Sequence, residues 1–105
     1  MQMARHSKKR ADEIAETLRA IAPQIPWADA EPVRQAADQR HYQNYPPSIA
    51  VWLCLVAHAR HQHTAYDQLM DDGLDRDAAR FMILDDLNDC LASWGVSRQL
   101  SLEDS

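Results

Sequence analysis

The feature that most constrains this chain is the unbroken apolar run Ile49-Ala-Val-Trp-Leu-Cys-Leu-Val-Ala57, entered from Pro46-Pro47-Ser48 and left through His58-Ala-Arg60-His61-Gln-His63-Thr64-Ala-Tyr66-Asp67. It is too short to cross a bilayer as a helix. A helix that is apolar all round must be buried on every side, so the run predicts a central helix wrapped by the rest of the chain.

The rest of the chain supplies helices to do so. From Lys8, apolar residues recur at Ala11, Ile14, Ala15, Leu18, Ile21 and Ala22, and Pro23 ends that helix. Ile25 and Trp27 follow on a short extended connector and are expected to plug the core. A second helix, the most exposed, begins near Asp29–Glu31 with Pro32 in its first turn, and carries the weak stripe Val33, Ala36, Ala37, Arg40. The central helix spans about Ser48, its expected N-cap, to Gln62.

Thr64-Ala-Tyr-Asp67 has the form of a capping box, which breaks the chain and starts a short helix at Ala65. Its inner face is Tyr66, Leu69 and Met70. Gly73 is its left-handed terminator, with Leu74 packing back on Leu69. Asp75 caps the last helix, whose inner stripe is Ala79, Ile83, Leu84, Leu87, Cys90, Leu91 and Trp94, and Gly95-Val96 ends it. No stretch alternates as a strand. The expected fold is all-α: a single compact helical domain of four helices plus one short helix, the last two forming a C-terminal hairpin. It spans residues 8–96, between a basic N-terminal tail at 1–7 and a C-terminal tail at 97–105.

Charge narrows the function. The net charge of -5 argues against a general nucleic-acid binder. Cations gather at Arg5, Lys8, Lys9 and Arg10, whereas residues 67–89 hold eight aspartates against Arg76 and Arg80. Aspartates on the last helix would meet phosphates, which discourages a helix-turn-helix reading of the hairpin. Asp85, Asp86 and Asp89 fall on its outward face and read as solvated rather than as a magnesium site. No apolar leader follows the basic start, and Cys54 and Cys90 read as free thiols in apolar helical stretches, so a cytoplasmic protein without membrane attachment is expected. A cysteine amid the most apolar stretch makes a poor nucleophile, because burial raises its pKa.

The histidines invite a metal. His58 and His61 share a helix face, with Asp67 as a further ligand, but His63 lies 140° round from His58 at 100° per residue. The three converge only if the helix breaks before His63, so no metal and no other cofactor is expected. No Ser-His-Asp order, phosphate loop or paired cysteine motif is visible. Arg80 lies on the inward stripe of the last helix, where a charge needs a partner; Asp67 or the adjoining turn is the expected one, the competing reading being that Arg80 snorkels out to serve a ligand.

The segment His58-Ala-Arg60-His61-x-His63-Thr64-x-Tyr66-Asp67-x-Leu69-Met70, followed by Arg76-x-x-Ala79-Arg80 and Trp94, resembles a domain-of-unknown-function family. That family occurs as small stand-alone bacterial proteins and inside longer fungal ones. The resemblance covers most of residues 10–95 and departs at Met70, where a leucine is usual. It implies no reaction. It implies emphasis on Arg60, His61, Thr64, Tyr66, Asp67, Arg76 and Arg80.

Together these features predict a non-enzymatic binding or interaction module with a protein partner, its candidate residues Arg60, His61, Tyr66, Asp67, Arg76 and Arg80. Two alternatives stand beside it. One is weak nucleic-acid association through the basic N-terminus with Arg60 and its histidines. The other is a small metal-dependent enzyme centred on His58, His61 and Asp67.

Overall fold

A computed structural model gives the fold. It describes residues 2–104, with side chains from Lys8 to Asp104. The chain is all-helical. The helices are α1 (Gln2–Ile21), α2 (Trp27–Ala37), α3 (Pro47–His63), α4 (Tyr66–Asp71) and α5 (Arg76–Ser93), with a 3₁₀ turn at Arg40–Tyr42. No described helix is long and apolar enough to cross a membrane.

The apolar run is the hub. α3 packs against each of the other four helices. Ala50, Val51, Cys54, Leu55, Val56 and Ala59 are buried against Ile14 and Leu18 of α1, Val33 and Ala37 of α2, and Ile83, Leu87 and Leu91 of α5. The expectation of burial on every side needs correction. Ile49 is 45% and Leu53 44% exposed, and Trp52 is only half-buried. Three long helices cannot close a full cylinder around a fourth, so one strip of α3 stays open.

Local signals explain most of the boundaries. Gly73 and Gly95 take the left-handed conformation at φ +98° and +85°. Leu74 N–H then donates to Leu69 O, and Val96 N–H to Leu91 O, as the C-terminal caps require. Ala78 N–H donates to Asp75 Oδ1 at 2.8 Å, the cap that starts α5.

Elsewhere the chain departs from expectation. Pro46 is the N-cap of α3 and Pro47 its first residue, which displaces Ser48 from the cap. Thr64 is the C-cap of α3 instead of the N-cap of α4. Its hydroxyl donates to Arg60 O and accepts from Tyr66 N–H, bridging the two helices. Trp27 opens α2 and is 75% exposed, leaving Ile25 alone to pack from the connector. Met70 faces outward on α4.

After α5 the chain runs without helix or strand to Asp104, yet it is anchored. Asn88 exchanges two hydrogen bonds with the Leu100 backbone, at 2.8 and 3.0 Å, and Leu100 itself is buried. Arg98 lies over the Trp52 ring, 4.6 Å from its centroid.

Candidate functional site

The end of α3 splits its histidines between two neighbours. His61 Nδ1 bonds Asp67 Oδ1 at 2.6 Å, in solvent, next to the Tyr66 ring. His58 and His63 turn to the other side. Asp29 Oδ1, in the first turn of α2, accepts from His58 Nε2 at 2.8 Å and from His63 Nε2 at 2.6 Å. The structure therefore does not assemble His58, His61 and Asp67 into one centre. α3 runs unbroken through His63, and the three histidines do not converge: His58 and His63 meet on Asp29 while His61 stands apart. The two imidazoles reach a common point from splayed positions because the point lies between them, on α2. Asp29 was legible only as a residue near a helix start.

Trp94 walls this cluster, with ring centroids 5.3 Å from His63 and 6.2 Å from His58. Burial by itself would raise the Asp29 carboxyl. The hydrogen bonds from His63 and His58, with their charges, outweigh it and hold the carboxyl below its usual value. Cys90 senses the same charge: burial first, and then Asp29, push its thiol up to about 11. Burial also raises the Cys54 thiol, against a hydrogen bond from Tyr42. Both cysteines are free.

A second feature lies on the open strip of α3. His41, Tyr42 and Tyr45 from the segment before α3, Trp52, Leu53, Val56 and Arg60 from α3, and Arg80 from α5 line a groove of about 350 Å³. Burial lowers the Arg60 pKa, and the nearby charges of Arg80 and Arg76 push the same way while Tyr66 opposes them. The Arg60 guanidinium sits 5.7 Å from the centre of the Tyr66 ring. Arginine keeps its charge under such pressure, so two like cations from α3 and α5 are held near each other. Arg80 does not pair with Asp67, which His61 has taken. Its Nε is buried with no hydrogen-bond partner among the described residues. Glu103 and Asp104 also line the groove, from a turn in which Asp104 accepts from Ser101 and pairs with Arg98.

Of the cations named at the N-terminus, Lys8 and Lys9 are exposed, while the Arg5 side chain lies outside the described residues. Arg10 points inward, 9% exposed, and donates from Nη2 to Tyr42 O at 2.6 Å. It braces the turn that carries the aromatic wall of the groove, and so is not part of a surface basic cluster.

Residues 17–95 match a family described as an uncharacterized conserved protein (DUF2293). The chain belongs to this family. No curated protein and no solved structure matches it. The family match contains Asp29, both histidine pairings, Arg60, Arg76 and Arg80. It stops before Arg98, Glu103 and Asp104, so the acidic lining of the groove lies outside the matched span.

Proposed function

We propose that the chain is a non-enzymatic binding module that takes an acidic segment of a partner protein in the groove of Arg60 and Arg80. The observation that carries this proposal is the lining itself: the guanidinium groups of Arg60 and Arg80 share one groove with the aromatic rings of Tyr45 and Trp52. Arg80 lines the groove, and a bidentate carboxylate is the partner to which a guanidinium fork is shaped. Tyr45, Trp52 and Leu53 add apolar contact area that no other helix covers. Aromatic and arginine side chains of this kind dominate binding energy at protein interfaces.

Nucleic acid is disfavoured, because a phosphate backbone needs many cations along it, whereas the groove offers two arginines in a chain of net charge -5. Calorimetric titration with a synthetic peptide rich in aspartate and glutamate tests the proposal. Binding is expected to weaken with added salt and to fall about tenfold or more in Arg80→Gln, the scale of one charged hydrogen bond. The double change Glu103→Gln with Asp104→Asn is expected to strengthen it. Peptide binding that ignores Arg80, or single-stranded DNA bound more tightly than the peptide, would overturn it.

A further inference from the structure

The groove leaves unexplained the convergence of two imidazoles on one carboxylate at the junction of α2 and α3. Asp29, His58 and His63 each offer one ligand atom, and the three atoms lie within 4.8 Å of one another. They come from residues 29 and 34 positions apart in the chain, and both ring contacts use Nε2 on the same oxygen, Oδ1. His58 and Asp29 are mostly buried, while His63 is partly open to solvent. Trp94 closes one flank.

We propose that Asp29, His58 and His63 form a binding site for a divalent transition metal of the zinc class. Two nitrogens and one carboxylate oxygen are donors that zinc accepts, and three protein ligands leave a fourth position for water or another ligand. Metal–ligand bonds of about 2.0–2.1 Å put tetrahedral ligand atoms roughly 3.3 Å apart. The present 2.6 and 2.8 Å separations need to open by about 0.5–0.7 Å to admit the ion. The ion displaces the protons that the two Nε2 atoms otherwise hold against Asp29, and releases them to solvent. It then ties the first turn of α2 to the last turn of α3. His61 takes no part, because it is bonded to Asp67 on the other side.

The test is equilibrium dialysis of the metal-free chain against zinc, read by elemental analysis, with cobalt as a visible-light reporter of ligand geometry. The expected result is about one zinc per chain and a tetrahedral cobalt spectrum. His63→Ala, at a solvent-accessible position, should weaken zinc binding by more than the roughly 10–100-fold typical of outer-shell changes. Asp29→Asn should do the same, and His61→Ala should leave affinity unchanged. The wild-type stoichiometry is decisive even if a variant fails to fold. No retained zinc, or zinc lost on His61→Ala but kept on His63→Ala, would overturn the proposal and leave the cluster a hydrogen-bonded clasp.

Discussion

Two leucines two positions apart on α3 put the correction to the central helix to a quantitative test. Leu55 is fully buried at the meeting of the helices, and Leu53 is 44% exposed on the open strip. Truncating Leu55 to alanine removes buried methyl groups and leaves a cavity, which costs about 2–5 kcal/mol. Truncating Leu53 leaves no enclosed cavity. Full burial of a leucine is worth about 1.5–3 kcal/mol, so losing the half that Leu53 buries should cost about 1 kcal/mol. Urea unfolding followed by circular dichroism measures both, through midpoints at unchanged slope. The pair should differ by more than about 1 kcal/mol, which for a domain of this size is at least about 4 °C in Tm. Equal losses for the two variants would show that the strip is covered and that no groove lies beside it.

Asp29 gives a pH prediction. Its carboxyl is held below its ordinary 3.8 in the fold, so its contribution is complete above that value and is lost as the solution becomes more acidic. Asp29→Asn should therefore flatten the fall of stability below about pH 4 in acid titrations; an unchanged acid limb would contradict the two hydrogen bonds. Both thiols are raised, so iodoacetamide near neutral pH should label Cys54 and Cys90 slowly in the native chain and fast in urea. Rapid native labelling would refute their burial. An alanine Cβ at Gly95 would meet Pro23 Cγ at 2.9 Å, whereas at Gly73 it would meet open space. Gly73→Ala should cost only the left-handed strain of about 1–2 kcal/mol, and Gly95→Ala measurably more; thermal melts of the two variants give the comparison.

What could be read from the sequence was local. Gly73-Leu74, Asp75 and Gly95-Val96 announce their caps because each bond closes within a few residues, and the stripe of α5 announces its inner face by period. The run at 49–57 does not announce a face. It is apolar on all sides, so its pattern carries no direction, and only the number of available neighbours decides that Ile49 and Leu53 stay open. The end of α3 was hidden for another reason. His61 finds Asp67 six residues on, which takes the partner expected for Arg80. His58 and His63 find Asp29 on a different helix, and helical angles within α3 say nothing about a point outside it. Arg10 was likewise counted among surface cations until the turn at Tyr42 offered it a carbonyl.

The claim that most needs a direct measurement is that the groove of Arg60 and Arg80 is the recognition surface. Amide chemical shifts of the isotope-labelled chain, followed during titration with an acidic peptide, map the contact without any substitution. The account predicts shifts concentrated at Tyr45, Trp52, Leu53 and Arg80, together with shifts at Glu103 and Asp104, which line the same groove. Shifts confined to Lys8 and Lys9, or no shifts at all, would contradict it.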